Sequence, residues 1–176
     1  MPERRLIGIF NRSYYEEVLV VRVHSDLLKN EQMPPSLISK KIWEHRFQDI
    51  CAFERYLSRN GIIVRKFFLN LSKEEQKKRF LARLEEQEKN WKFSLSDMKE
   101  RKYWNQYRDA YEEMIQNTAT PQAPWYVVPA DNKWFTRLVV AAAIIDTLAE
   151  LHVDYPKVGP ARREELVQIH KRLKAE

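Results

Sequence analysis

The chain has 176 residues, 44% of them hydrophobic and 12% aromatic, which supports one domain with a real core and excludes a disordered chain. Its single cysteine, Cys51, excludes a disulfide framework and a cysteine-rich zinc site, and points to a reducing cytoplasm. Lys and Arg outnumber Asp and Glu by 31 to 25, a net charge of +6 that favours anionic partners: phosphates, nucleotides, nucleic acid or acidic lipid.

In chain order, Leu6–Phe10 is a short apolar run that predicts a buried strand opening into the polar turn Asn11-Arg12-Ser13. Val18–Val23 is a second apolar run, compatible with a helix or a strand. Ser25–Pro35 is polar and ends in two prolines, a loop. Ser36–Arg59 predicts a long helix whose apolar stripe is Trp43, Phe47, Ile50, Phe53 and Leu57, stopped by Asn60-Gly61. Ile62–Leu69, rich in β-branched and aromatic residues, predicts a strand. Ser72 with Glu75 forms a capping box for a helix reaching about Glu88. Ser96-Asp97 predicts the cap of another helix running to about Gln116, and Trp125–Val128 a third strand. A helix from about Asn132 to Leu151 and a charged one over Ala161–Ala175 close the chain. The longest apolar run, Leu138–Ile145, is too short to span a bilayer.

Strands alternating with helices predict an α/β fold with a parallel sheet covered by helices. The stretch 72–118 interrupts that alternation with two helices, as a lid inserted in an α/β core does.

Three groups of residues carry candidate chemistry. Asn11-Arg12-Ser13 follows a strand, and the ends of strands in α/β folds are where phosphate and metal sites are built; a plain strand-to-helix turn reads the same way. Lys77, Lys78, Arg79, Arg83, Lys89 and Lys92, with Arg101 and Lys102, could close over a polyanion. Glu74, Glu75, Glu85, Glu86 and Glu88 are interleaved with them, as on a solvated face. Trp91, Phe93, Tyr103, Trp104, Tyr107 and Tyr111 could stack bases or pack a core. Cys51 lies in a helix stripe as a small buried hydrophobe, and His24 has no assigned role; the four histidines share no ligand spacing.

The order of these segments is more specific than any one of them. Ile7-Gly8-Ile9-Phe10-Asn11-Arg12-Ser13-Tyr14-Tyr15-Glu16-Glu17 and the apolar run through His24 resemble the Walker B segment of the polyphosphate kinase 2 family. Phe67–Gln76 is similar to the family's strand and lid entry. Trp91–Asp97 with Arg101, Trp104, Tyr107 and Ala110 is similar to its lid helices, and Ala123–Lys133 to the strand and basic turn that follow. The resemblance runs from about Leu6 to Pro156, with 157–176 a separate charged helix.

The resemblance implies a P-loop kinase fold of the thymidylate-kinase-like kind, a three-layer αβα arrangement with a parallel sheet and a helical lid over about 72–118. It implies Mg²⁺-dependent phosphoryl transfer between inorganic polyphosphate and AMP, ADP or ATP by a cytoplasmic homo-oligomer, without membrane or nucleic acid. Carried over by position, Arg12 touches the polyphosphate or the transferring phosphate, and Arg79 and Arg83 are lid arginines. Lys92 and Arg101 line the anion channel, and Lys133 belongs to the substrate-binding turn. Asn11 stands where many relatives carry an aspartate; an amide is a weaker magnesium ligand, which implies contact through a water.

One family element has no counterpart. Gly8, Gly61 and Gly159 are the only glycines and cannot make a Gly-x-x-x-x-Gly-Lys phosphate loop. The chain therefore reads as the C-terminal portion of such an enzyme, from a truncated or split gene or a misplaced start, inactive or nearly so alone. The rival class is a non-catalytic polyanion binder or partner subunit that keeps the basic lid.

Overall fold

The computed structural model describes residues 2–3, 6–152, 154–155 and 157–175. They form two compact units, Met1–Thr136 and Arg137–Glu176. The first is a mixed α/β unit, mostly helical around a small parallel sheet.

After an extended N-terminal stretch come α1 (Glu16–Val23), α2 (Leu27–Asn30) and a 3-10 turn at Pro35–Leu37. Helix α3 (Ile42–Arg59) leads to strand β1 (Lys66–Asn70). Helices α4 (Lys73–Glu85), α5 (Leu95–Glu100) and α6 (Trp104–Thr118) connect it to strand β2 (Trp125–Pro129), and α7 (Lys133–Glu150) and α8 (Pro160–Leu173) follow. β1 and β2 pair in parallel, with Lys66 opposite Trp125 and Asn70 opposite Pro129. Parallel neighbours need a long crossover, which the helices α4–α6 supply. Aromatic pairing reinforces the ladder: Phe67 stacks on Tyr126 at 5.1 Å, and Phe68 on Tyr111 of α6 at 4.4 Å.

The apolar run at Val18–Val23 resolves as helix. Glu16 and Glu17 sit in its first turn, where carboxylates suit the positive end of the dipole, and Val18, Leu19 and Val21 are buried. Val18 and Leu19 meet Phe47 and Ile50 of α3 and Ala110 and Met114 of α6 in the main core. Val21, Leu28 and Ile42 form a smaller cluster beside it. Ser72 caps α4, its hydroxyl accepting from the Glu75 amide at 3.0 Å, but the reciprocal half of the expected capping box is absent: the Ser72 amide donates to Asp131, and the Glu75 carboxylate accepts from Arg79.

Four expectations are corrected. Leu6–Phe10 is exposed and outside any strand, with Ile9 86% accessible. An extended run becomes a strand only against a partner ladder, and among the described residues the sheet has two strands, not three. Phe53 points outward, and Glu54 takes its place in the buried stripe of α3. The helix expected from Ser96 begins one residue past Ser94, which forms a capping box with Asp97, and a 3-10 turn at Arg101–Tyr103 divides it into α5 and α6. Cys51 is half-buried, its thiol pushed up by desolvation and donating to the Asn117 carbonyl at 3.5 Å.

In the second unit, Gly159 and Pro160 start α8, Pro supplying a preset φ at the helix start. No helix among the described residues is long and apolar enough to cross a membrane.

Candidate functional site

The turn ahead of α1 presents Asn11, Arg12 and Ser13, all exposed. Arg12 has φ 84°, a left-handed conformation that costs an ordinary side chain free energy. Among the described residues its guanidinium makes no hydrogen bond or ion pair. Its charge does reach the Tyr111 phenol, where it opposes the upward push of burial and of Glu16. An exposed, unpaired arginine in a strained turn is a ready donor for a planar oxyanion.

Helix α4 carries the next cations. Arg79 is not turned away from the glutamates. Its Nε donates to Glu75 at 2.9 Å, and its Nη2 donates to the carbonyls of Ala130 and Asp131 at 2.8 and 3.0 Å. It therefore ties α4 to the chain leaving β2. The reason is local: Glu75 lies one turn before it on the same helix face. Asp131 completes this clamp by accepting from the Ser72 amide at 2.7 Å, and that bond holds its carboxyl below the usual range. Arg83, half-buried, lies 6.0 Å over the Phe80 ring. Lys77 and Lys78 point into solvent.

Arg101 donates to the Lys73 carbonyl and to Gln76, so it braces α5 against the start of α4. Lys133 is exposed in the first turn of α7. The side chain of Lys92 lies outside the described residues. The structure thus gathers Arg79 and Arg101 around α4 as bracing contacts, and leaves Arg12, Lys77, Lys78 and Lys133 exposed.

His24, which the sequence left without a role, joins α1 to the end of α5. Its Nε2 lies 2.8 Å from Glu100, and the Tyr107 hydroxyl donates to the same carboxylate oxygen at 2.9 Å. The His24 bond holds the Glu100 carboxyl below its ordinary value, and burial pushes the Tyr107 phenol up. An open cavity of about 550 Å³ lies beside them, lined by Val20, Val23, Leu27 and Tyr103 among others.

A second constellation escaped the sequence. Lys66, the first residue of β1, and Glu54 of α3 are both buried and pair at 2.7 Å. The Lys66 ammonium also donates to the Tyr15 hydroxyl and to the Thr118 carbonyl, each at 2.9 Å, so all three of its protons are used. Tyr14 and Tyr15 donate to the other Glu54 oxygen at 2.9 and 2.7 Å. Burial lowers the Lys66 ammonium from its usual range while Glu54 pulls it back up, and burial pushes both phenols up. One signal was present: Glu54 stands four residues after Ile50 and three before Leu57, on the apolar stripe, where a lone carboxylate requires a partner.

Among the described residues no group of three or more His, Cys, Asp or Glu could hold a metal. Asn11 brings one neutral oxygen. The described residues therefore do not by themselves form a magnesium cage.

The family described as Polyphosphate kinase 2 matches residues 1–156. An ADP-polyphosphate phosphotransferase of Rhodopseudomonas palustris is 51% identical over 174 residues, 98% of this chain and 60% of that protein. An AMP/ADP-polyphosphate phosphotransferase of Meiothermus ruber is 39% identical, over 96% of this chain and 59% of that protein. The crystal structure of a polyphosphate kinase 2 from Arthrobacter aurescens superposes with a TM-score of 0.84 at 39% identity, covering 96% of this chain and 56% of the other. The chain thus spans about 60% of the length of these two curated relatives.

Proposed function

The chain belongs to the polyphosphate kinase 2 family, and on that premise we propose that it supplies the Arg12 turn and the lid of an enzyme moving phosphoryl groups between inorganic polyphosphate and AMP or ADP. The observation that carries the proposal is Arg12: exposed, unpaired among the described residues, at φ 84°, inside the segment shared with the family.

Phosphoryl transfer asks little covalent chemistry of the protein; positioning and charge neutralisation do most of it. Arg12 is the donor to the transferring phosphate. Arg83, Lys77 and Lys78 of α4 and Lys133 line the path of the polyphosphate run, with Lys92 assigned there by position alone. Arg79 and Arg101 act in this reading as the braces that hold the lid helices over that path. Magnesium would supply neutralisation of phosphate charge in the proposed reaction, and of this chain's residues Asn11 would reach it only through a water. The thymidylate-kinase-like three-layer fold, the extent of the lid, the homo-oligomer and the cytoplasmic setting belong to the same proposal.

None of the three glycines can cradle a phosphate as a P-loop does, so the 176 residues alone bind polyphosphate without turning it over. The purified chain, mixed with polyphosphate, Mg²⁺ and AMP or ADP, is expected to form no ADP or ATP above background. It is expected to bind polyphosphate with an affinity that falls as salt rises. Arg12→Ala should weaken that binding and reduce the salt slope by roughly one. Turnover by the chain alone would overturn the inactivity, and absence of binding would overturn the polyphosphate reading.

A further inference from the structure

Arg12 holds a left-handed backbone, which a non-glycine residue keeps only where its surroundings over-determine it. The residues before it do not supply that constraint: Leu6–Phe10 is exposed and outside the sheet. The residues after it do. Tyr14 and Tyr15 both donate to Glu54 Oε1. Their rings are seated edge-on against Phe53 and Trp125, at 5.4 and 4.9 Å. Glu54 in turn cannot swing, because its second oxygen is bonded to Lys66, and release would strand a buried ammonium.

We propose that Glu54, backed by Lys66, is a positioning residue for Arg12: it clamps the tyrosine pair and so sets where the Arg12 guanidinium points. The inference rests on the reading of Arg12 as a phosphate contact. Ring packing alone holds the tyrosines in the core but leaves their hydroxyl ends free to shift. Two hydrogen bonds to one carboxylate oxygen fix both ends at once, two and three residues from Arg12. A buried ion pair adds little net stability over an apolar pair of the same volume, so net stability alone does not account for it and a geometric role does.

The test is a double-mutant cycle on the 176-residue chain, with long-chain inorganic polyphosphate as the probe. Tyr14→Phe with Tyr15→Phe keeps both rings and removes both hydrogen bonds to Glu54, together with the one Lys66 donates to the Tyr15 hydroxyl. In the parent it should weaken polyphosphate binding several-fold and lower the salt slope, as Arg12→Ala does. In the Arg12→Ala background it should change neither, while lowering the melting temperature equally in both. A purely structural clamp would move melting temperature alone. Losses that multiply across the cycle, or a tyrosine variant that binds like the parent, would overturn the positioning role while leaving Arg12 as a phosphate contact. Binding that Arg12→Ala leaves unchanged would overturn both. If the double variant does not fold, Tyr14→Phe alone, at a half-buried site, carries the same cycle with a smaller change.

Discussion

The Glu54–Lys66 knot and helix α4 are both rich in charge, yet they use it in opposite ways. In the knot two charges are withdrawn from water, and each hydrogen-bonding atom of the ammonium is matched. Along α4 the cations sit at the surface among glutamates, some committed to neighbours and some free for a polyanion. Desolvation explains the contrast. A buried charge must be paired to exist at all, so it encodes geometry, whereas an exposed charge costs little to leave unpaired and so can serve a ligand.

The comparison can be broken first at the knot. Glu54→Ala leaves Lys66 uncompensated in the core, and the expected loss is about 3–5 kcal/mol in denaturant unfolding. A loss below about 1 kcal/mol would mean that water reaches the ammonium and that the site is not dry. Second comes Arg79, whose bonds to Glu75 and to two carbonyls make it a brace as well as a cation. Arg79→Ala should cost about 1–2 kcal/mol, discounted for its partial exposure, alongside any loss of polyphosphate binding. Unchanged stability would return Arg79 to the free cations of the lid.

Asp131 offers a smaller, pH-dependent test. Its carboxyl is held below the ordinary 3.8 by the Ser72 amide, so the folded state favours the ionised form. That contribution is fully present above the unfolded value and is lost as pH falls through the lower folded one. Melting temperature should therefore drop slightly more steeply below about pH 4 in the parent than in Asp131→Asn. Parallel curves would show that the Ser72 bond adds nothing. The smallest effect on stability is expected for Lys77→Ala with Lys78→Ala: within about 0.5 kcal/mol of the parent, with a lower salt slope for polyphosphate. A clear loss of stability would show that these lysines are not a solvated face.

Much of the helical framework was legible before the structure. The Ser72 cap, the C-terminal end of α3 and the ends of α7 follow from residues a few positions apart. The site was legible only in part. Arg12 stood out by its place after an apolar run, but its unpaired state and its left-handed backbone did not. Arg79 and Arg83 share a face by spacing. That one is tied to Glu75 and two carbonyls, and the other rests on Phe80, depends on where β2 ends and on which rotamers α4 can use.

The sequence by itself determined what is local: caps, helix faces, the apolar runs that become β1 and β2, and the family to which the order of segments belongs. Caps and stripes are decided within about a turn of helix, where no distant partner is needed. Only the tertiary structure decided that Leu6–Phe10 stays unpaired, that Glu54 rather than Phe53 faces the core, and that Tyr15 meets Glu54 and Lys66 across 39 and 51 residues. Strand pairing and burial of charge are relations between distant segments. Their free energy depends on whether a partner arrives, which no window of sequence contains.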